Sequence, residues 1–559
     1  MAGGREDFGI ATGMTTLPRK PPATARISRL QTALTGMVGL GRSLPTFFRN
    51  PITPENAKEA IRAAVERRGE SFLEIACTLI YENPQSPYLR LLKAARCEFS
   101  DLCILVRGEG LERALVRLAA EGVYFDAEEY RGMKEVVRGR EVFRVMPSDF
   151  EYRRSQAGLP IESGGSTSRP VRTIISLEWQ AEIARVRAIF FSAHGLFDYA
   201  HATYDGILPA SGGINNLLQH AKLGLNTDRW FARPMPNQSP LEDWHMYLCT
   251  YLVVIMGKCY GPGFPAPQFI AEGDVQTIIN WIVKQRSRNR SACVKTAASN
   301  AVRIARAAFE SSVDLAGTKF IVTGEPFTEA KRETIASVGA SAVPFYSFTE
   351  TANVGVGCAL PLSPDEVHLN QTLITAVLHP EPLSLDDAII RPLLFTTVYP
   401  RTDRMLLNVA NGDYGILESR DCGCALEEAG LRLHLYHIRS YDKFTSEGMN
   451  YFFGDLHEFL EKTLPTQYGG GPGDYQLVEE EDETGQTRLT LRVHPQAGNF
   501  DTSNLLARVR SELGCGSRGR AFQARVWDQA GTLRVSREAP LASARGKILP
   551  LQLQKKRES

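Results

Sequence analysis

The chain has 559 residues, with 43% hydrophobic and 23% charged side chains and a formal net charge of +1. This length provides for two or more domains with ample cores, and so small a net charge gives no field that would attract nucleic acid or a membrane surface. No apolar run is long enough to cross a bilayer and no signal peptide is indicated. The ten cysteines are sparse and irregular, which is typical of a cytoplasmic protein with reduced thiols.

The N-terminal part of the chain predicts a tail followed by a helical layer. Residues 1–27 are rich in glycine, proline, threonine and arginine without periodicity, which predicts disorder. Helical spacing begins after Thr53, where Ala57, Ile61 and Val65 repeat one apolar face. We expect the helices up to about Gly132 to form a layer that packs against a larger sheet.

Residues 161–173 form a stretch of small and hydroxylated side chains. Such residues let backbone N–H groups turn inward around an anion, although the same composition is also common in flexible linkers. A β-like run follows at Val171–Leu177. The stretch therefore predicts either a linker or a phosphate-binding loop.

A strand–turn–helix–strand unit is predicted over Phe320–Glu350. Its first apolar run stops at the turn Gly324-Glu325-Pro326, because proline cannot continue a strand ladder. Thr328 is expected to cap a helix that ends at Gly339. A second β-like run, Ala342–Tyr346, follows it. If the two strands are parallel, the loops after them lie at the edge where open α/β sheets bind ligands.

Four possible metal ligands follow this unit. Cys358 and His368 lie close in the sequence, and Cys422 and Cys424 flank a glycine that permits a tight turn. Three thiolates and one imidazole form the ligand set of a closed tetrahedral zinc site. The alternative is a group of unrelated buried thiols and a surface histidine.

Three further segments carry polar side chains that chemistry could use. Asn411-Gly412-Asp413 is, by itself, typical of a hairpin turn. Arg439-Ser440-Tyr441-Asp442 is either a hinge or a charged strand end, and Lys547 follows a glycine near the C-terminus.

Taken in this fixed order, the segments resemble the adenylate-forming superfamily, and within it the phenylacetate–CoA ligase-like group. The resemblance covers about residues 86–550. The matched positions are Ser163, Gly165, Ser166 and Thr167 in the phosphate loop, Gly324, Glu325 and Pro326 in the adenine turn, Tyr346, Thr349 and Glu350 in the following motif, then Asp413, Arg439, Asp442 and Lys547.

The resemblance implies a role for each nucleotide-binding residue. Tyr346 should lie against the adenine, Thr349 should touch the α-phosphate and Glu350 should help to hold magnesium. Asp413 should accept hydrogen bonds from both ribose hydroxyls, and Arg439 should bond the ribose. A flat ring, a hydroxyl and a hard carboxylate suit these partners.

The resemblance also implies a mobile C-terminal domain. Asp442 should be the pivot, and Lys547 should reach into the adenylation site and neutralise charge on the carboxylate and the α-phosphate. Some members of the group carry a Cys/His cluster comparable to the four residues above, which favours a structural zinc. Five positions depart from the family pattern, namely Gly164, Ser168, Asn411, Tyr441 and Phe453.

The sequence therefore predicts an α/β protein with a large adenylation domain of sheets layered with helices (28–436) and a small α+β lid domain (437–559). We expect it to activate a small carboxylic acid with ATP and Mg²⁺ to an acyl-adenylate, and to transfer the acyl group to a thiol, coenzyme A. The alternatives are a separate carrier or partner protein as acceptor, and a non-catalytic homologue. No nucleic acid or membrane partner is expected, and a homodimer is left open.

Overall fold

The computed structural model describes most of the chain. The described residues are 39–152, 158–162, 172–208, 210–232, 244–271, 274–348, 350–385, 388–441, 443–446, 449–452, 456, 459–471, 473–482, 485–515, 518–541 and 551–553. The predicted tail at residues 1–27 lies outside them.

Helices and strands alternate through the middle of the chain. The helices are α1 (39–49), α2 (Pro54–Ala76), α3 (Pro87–Ala94), α4 (Phe99–Glu109), α5 (Leu111–Ala120), α6 (Ala127–Tyr130), α7 (Leu177–Ala193), α8 (Gly212–Lys222), α9 (Trp244–Tyr260), α10 (Gln276–Arg286), α11 (Ala298–Glu310), α12 (Glu329–Ala336), α13 (Ala425–Glu428), α14 (Leu464–Tyr468), α15 (Thr502–Leu513) and α16 (Arg518–Gln529). The strands are β1 (Val136–Arg138), β2 (Glu141–Phe143), β3 (Gly158–Glu162), β4 (Arg172–Ser176), β5 (Ala200–Tyr204), β6 (Arg229–Ala232), β7 (Pro267–Phe269), β8 (Ala292–Ala297), β9 (Lys319–Thr323), β10 (Ser341–Phe348), β11 (Ala352–Gly357), β12 (Val367–Leu369), β13 (Ile374–Leu378), β14 (Leu383–Leu385), β15 (Ala388–Ile390), β16 (Pro392–Thr397), β17 (Val409–Ser419), β18 (Leu433–Ser440), β19 (Lys443–Ser446), β20 (Met449–Phe452), β21 (Tyr475–Glu481), β22 (Thr487–Val493), β23 (Leu533–Ser536) and β24 (Leu551–Leu553).

One mixed sheet of twelve strands forms the centre of the molecule, in the order β13-β16-β17-β18-β12-β11-β10-β9-β8-β5-β6-β7. The six strands from β10 to β7 are parallel. Within this half the strand order reverses between β5 and β8, as in a doubly wound fold. Crevices at such reversal points, outside the carboxyl ends of the strands, are the usual ligand sites of open α/β sheets.

The other half of the sheet is antiparallel from β10 through to β13. It includes β18, which reaches Ser440 and so crosses the predicted domain boundary between residues 436 and 437. The large sheet therefore contains the first residues of the segment that we assigned to the lid, and the division into domains stays a prediction.

The unit around residues 320–350 has the predicted form. Strands β9 and β10 are parallel, with Phe320 opposite Ala342. Thr328 caps α12 by accepting the Lys331 backbone N–H at 3.4 Å. Gly339, just after the helix, has a φ of +75°, a left-handed value that glycine adopts without strain.

Helices cover both faces of the parallel half because alternate strand residues point to opposite sides. Phe320 and Val322 pack with the helices α10–α12, whereas Ile321 packs with α7 and α2. Helices α2–α5 also pack against the antiparallel strands in a further core. This is the helical layer that the sequence predicts.

A second, smaller sheet lies in the C-terminal part of the chain, with the order β23-β22-β21-β24. It has its own core with α15 and α16, around the fully buried Tyr475, Leu489 and Trp527. The predicted α/β class, with a large layered unit and a small α+β unit, is confirmed, while the mobility of the small unit stays a prediction. No helix among the described residues is both long enough and apolar enough to cross a membrane.

Candidate functional site

Side chains from three of the predicted nucleotide-binding motifs meet at Asp413, the residue predicted to accept from the ribose hydroxyls. The Tyr346 hydroxyl donates a hydrogen bond to Asp413 Oδ2 at 2.7 Å. The Asn411 side-chain amide donates to the same oxygen at 2.8 Å, and the Ser440 hydroxyl donates to Asp413 Oδ1 at 2.7 Å. Three of the separate sequence motifs thus converge on one carboxylate, which is only 5% exposed.

Asn411-Gly412-Asp413 does not form a hairpin turn. The three residues lie within β17, between the neighbouring strands β16 and β18. Asn411 Oδ1 also accepts the Asp413 backbone N–H at 3.1 Å, so the residue that departs from the family threonine still orders the carboxylate. The departure is therefore compatible with the predicted ribose site.

Tyr346 lies beside Asp413, and its surroundings determine whether its hydroxyl keeps its proton. Burial raises the pKa of Tyr346 well above its usual range, and the charges of Asp413 and Glu350 raise it further. Its ring lies 6.1 Å from the ring of Phe395, measured between centroids. The hydroxyl therefore stays protonated and acts as a donor to Asp413.

The turn that resembles an adenine-binding turn lies next to Tyr346. The Thr323 hydroxyl, at the end of β9, is 3.2 Å from the Ser347 hydroxyl of β10, which joins the two loops. Gly324 has a φ of +83°. Glu325 Oε1 accepts a hydrogen bond from the Ser299 hydroxyl at 2.7 Å, and its side chain is fully buried. The backbone of this turn, rather than the carboxylate of Glu325, is thus the part that can line a base.

The charge of Glu350 acts on a buried arginine that sequence reasoning missed, by raising the pKa of Arg404 against the effect of burial. Arg404 donates to the Tyr130 hydroxyl at 2.7 Å and to Glu151 Oε1 at 2.7 Å. Burial raises the pKa of Tyr130 to about 12, with Arg404 acting to lower it and Glu350 to raise it. Tyr130 and Arg404 are 274 residues apart in the chain, so no local pattern points to this pair.

Arg439 is held by a carboxylate that the sequence did not single out. Asp365 is 4% exposed, and its Oδ2 accepts from Arg439 Nη1 at 2.9 Å. It also accepts the backbone N–H groups of His437 and Ile438 at 3.0 and 2.9 Å. His437 has a φ of +52°, at the point where the register between β17 and β18 shifts. Asp365 thus stabilises the bulge from which Arg439 projects.

The remaining predicted site residues lie outside the described part of the chain. They are Ser163, Gly165, Ser166, Thr167, Thr349, Asp442 and Lys547. Their assignments stay predictions from the sequence.

The four predicted zinc ligands come together in the structure. The ligand atoms of Cys358, His368, Cys422 and Cys424 all lie within 4.8 Å of one another. His368 Nε2 is 3.2 Å from the Cys424 sulfur and 3.6 Å from the Cys422 sulfur. The alternative of unrelated thiols and a surface histidine is wrong, since His368 is fully buried among these sulfurs.

The groups around this cluster suit a zinc ion. His368 Nδ1 donates to the Leu431 carbonyl at 2.6 Å, which leaves Nε2 free of a proton on the side of the thiols. The Leu360 backbone N–H and Arg420 donate to the Cys358 sulfur at 3.3 and 3.7 Å. The adjacent Cys358 lowers the pKa of Cys424 and, against the effect of burial, so does His368. Thiolate character is therefore favoured at Cys424, whereas the hydrogen bond with Cys424 raises the pKa of Cys358 and burial raises that of Cys422. The donor types of the four residues fit zinc.

A second polar group marks the point where the strand order reverses. Lys295 of β8 lies 3.4 Å from Asp205, which directly follows β5. Burial lowers the pKa of Lys295, whereas Asp205 acts to raise it. Gly212, at the start of α8, lies so close that a Cβ there would be 1.9 Å from Asp205 Oδ2. Sequence reasoning missed this pair.

Comparison with known proteins gives remote structural likeness only. No protein-family model and no curated protein matches the sequence. Among solved structures, an amide bond synthetase from Marinactinospora thermotolerans has 14% identity, covering 74% of this chain and 71% of that chain, with a TM-score of 0.40. An acyl-CoA synthetase (AMP-forming)/AMP-acid ligase II-like protein from Dyadobacter fermentans has 12% identity, covering 70% of this chain and 87% of that chain, with a TM-score of 0.29.

A third solved structure is the anthranilate CoA ligase AuaEII in complex with anthranoyl-AMP. It has 12% identity, covers 70% of this chain and 64% of that chain, and gives a TM-score of 0.33. Likeness at this level does not establish a family for the chain, so a functional assignment must be argued from the motifs and the geometry of the site.

Proposed function

We propose that the protein is an adenylate-forming ligase. An oxygen of a carboxylic acid attacks the α-phosphorus of ATP, pyrophosphate leaves, and an acyl-adenylate results. A thiol, that of coenzyme A, then attacks the acyl carbon and AMP leaves. The protein does little covalent work in such a reaction, so positioning and charge neutralisation carry the catalysis.

The observation that carries this proposal is the meeting of Tyr346, Asn411, Asp413 and Ser440. Tyr346 and Asp413 are 67 residues apart, and Asp413 and Ser440 are 27 apart. The motifs that contain them were chosen from the sequence for a shared role in nucleotide binding. Chance matches scattered through the chain would have no reason to meet at one sheet edge, beside the turn at Gly324.

In the described state both oxygens of Asp413 already accept hydrogen bonds from the protein. Ribose binding therefore requires at least one of these donors to be exchanged for a ribose hydroxyl. Ser440 is the donor that we expect to leave, since it lies two residues before the predicted pivot Asp442.

Glu350 is the residue that we propose to help to hold Mg²⁺ with ATP. The metal would supply neutralisation of phosphate charge, while Arg404 and Tyr130 orient the neighbouring polar groups from within the protein. We propose the acid-binding crevice at the reversal between β5 and β8, beside Lys295 and Asp205. The Cys358–Cys424 cluster, formed by Cys358, His368, Cys422 and Cys424, would hold a structural zinc that takes no part in the reaction.

The test is an ATP–pyrophosphate exchange assay over a panel of aryl, medium-chain and unusual carboxylic acids. We expect exchange with one class of acid, and exchange that Glu350→Gln lowers strongly. Lys222→Met is a suitable control, because the hydrogen bonds that Lys222 donates within the described part of the chain go to the backbone carbonyls of Phe47 and Asn50. Absence of exchange with every acid, together with absence of ATP binding, would refute the proposal.

A second candidate function is that of a non-catalytic nucleotide-binding homologue. The occupied oxygens of Asp413 and the bound carboxylate of Glu325 favour it. ATP binding by calorimetry without exchange for any acid would decide for this candidate. Where exchange is present, incubation with the acid and either coenzyme A or candidate carrier proteins separates the two possible acceptors.

A further inference from the structure

A buried ion cluster joins the turn before α12 to the C-terminal sheet. The side chain of Lys331 is 1% exposed, and its Nζ lies 3.6 Å from Glu325 Oε2 and 3.8 Å from Glu481 Oε2. It donates hydrogen bonds to the Pro326 carbonyl at 2.9 Å and to the Thr487 hydroxyl at 3.3 Å. Glu481 and Thr487 belong to β21 and β22, so one ammonium group binds carboxylates from both units.

The hairpin between β21 and β22 fits closely against the first turn of α12. The Thr328 hydroxyl, which caps the helix, donates to Glu481 Oε1 at 2.6 Å. Gly485, in the hairpin turn, has a φ of +76°, and a Cβ there would lie 2.9 Å from the Lys331 backbone nitrogen. The contact between the hairpin and α12 therefore leaves no room for a side chain at position 485.

The charges of the cluster make the two contacts interdependent. Two carboxylates share one buried ammonium group, and Glu325 is tied to Ser299 by its other oxygen. If the hairpin leaves, Lys331 keeps Glu325 as its carboxylate partner within this cluster. The seated hairpin thus makes Glu325 share Lys331 with a second carboxylate, and the hydrogen bond from Thr328 to Glu481 ties the start of α12 to the hairpin.

We infer that Lys331 is a positioning residue that couples the seating of the C-terminal unit to the carboxylate of the turn at Glu325. The packing of the β21–β22 hairpin against α12 does not depend on any catalytic activity. An effect of this packing on nucleotide binding or turnover rests on the proposed function. When the C-terminal unit swings, this hairpin must unseat, and Lys331 then changes from a shared partner to a partner of Glu325. The turn that lines the nucleotide thus responds to the position of the lid.

Hydrogen–deuterium exchange of the full-length protein tests the seating. Glu481→Gln should raise exchange by at least about tenfold both in the hairpin 481–487 and in the first turn of α12, since an opening that costs less is visited more often. The matched control is Glu480→Gln, because Glu480 is the neighbouring residue and accepts from Thr490 within the small sheet. Lys331→Met should give the same double response as Glu481→Gln.

A pair of glycine variants tests the same contact by shape rather than by charge. Gly485→Ala should unseat the hairpin, through the contact with Lys331 and the positive φ together. Gly473→Ala carries a similar backbone strain, with a φ of +92° and no atom within 4 Å of the added Cβ. Only the first variant should raise exchange in α12.

The inference is overturned if Glu481→Gln and Gly485→Ala leave hydrogen–deuterium exchange in α12 equal to that of their controls. The inference is supported if both variants raise hydrogen–deuterium exchange in α12 while the controls do not. If the wild-type protein showed no ATP–pyrophosphate exchange with any acid and bound no ATP, the proposed function would be refuted. The hydrogen–deuterium exchange of the variants would still show whether the hairpin contact stabilises α12.

Discussion

Asp413 is the residue whose removal most directly tests the ribose assignment. Asp413→Ala removes the acceptor of two ribose hydroxyls, so we expect ATP binding to weaken by about 1.5–3 kcal/mol, the range for hydrogen bonds to a charged group. Isothermal titration calorimetry measures this loss. Tyr346→Phe, which removes one donor and keeps the carboxylate, should cost less. Unchanged affinity in Asp413→Ala would refute the assignment.

His201 gives a prediction about pH. It is 2% exposed, its ring stacks on Phe191 at 5.3 Å between centroids, and its Nε2 donates to the Leu196 carbonyl at 2.9 Å. Burial lowers the pKa of His201 to about 4, with Leu196 opposing this effect and the charge of Arg187 adding to it. The folded protein therefore holds this imidazole neutral.

Because the folded pKa of His201 lies below the unfolded value of 6.5, the unfolded state binds more protons between these two values. The contribution to stability is full above about pH 6.5 and is lost as the pH falls towards 4, by roughly 3 kcal/mol. Urea unfolding at several pH values should show a flatter profile for His201→Gln than for the control His379→Gln. Equal slopes in the two variants would contradict the prediction.

At the scale of elements, the Cys358–Cys424 cluster links β12 to the loop after β17. Metal analysis of gently purified protein should find about one zinc per chain, because three sulfurs and one imidazole lie together as a complete donor set. Cys422→Ser should lose the metal and much of the thermal stability, since metal binding contributes folding free energy. Cys259→Ser, at an exposed cysteine, should change neither. Protein without zinc would refute the metal site.

Local signals predicted the elements that local residues determine. The unit from β9 to β10 follows from the proline stop, the Thr328 cap and the glycine at 339, all within the segment itself. Asn411-Gly412-Asp413 has the composition of a hairpin turn, yet it lies within β17, where Asp413 pairs with Ser440 of β18 and the register to β16 shifts across the three residues. Pairing with distant strands outweighs the turn propensity of three residues.

At the scale of the whole molecule, the resemblance predicts a division of labour between the two units. Lys547→Ala should lower ATP–pyrophosphate exchange by roughly 10²–10³, the usual effect of one charge-stabilising group in a dry site. The same variant, given a presynthesised acyl-adenylate, should transfer the acyl group to its thiol acceptor at near the native rate. Two separate half-reaction assays measure the split.

Asp442→Pro should show the opposite behaviour, because proline fixes φ and removes the backbone freedom that a rotation needs. It should form the adenylate and stall before the thioester. If both variants lost both half-reactions equally, the assignment of a swinging lid would fail.

Long-range contacts set the limit of prediction from sequence. Lys331 looks like an ordinary exposed residue of a short helix, and nothing near it indicates Glu481, 150 residues further along. Arg404 reaches Tyr130 over 274 residues, and Asp365 was overlooked although it lies three residues before a predicted metal ligand. These partners have no shared periodicity or spacing, so their contacts cannot be predicted from the sequence and are seen only in the folded chain.

The seam between β12 and β18 has a consequence for how the chain assembles on the ribosome. Strands β8, β9 and β10 can pair in the order in which they emerge, but β12 ends at Leu369 and its partner β18 begins only at Leu433. At typical rates of synthesis, β12 has an open edge for on the order of several seconds, and open edges invite pairing with other chains. His368 lies on that edge opposite His434, so the predicted zinc ligand stands where the last strand of the large sheet completes the pairing.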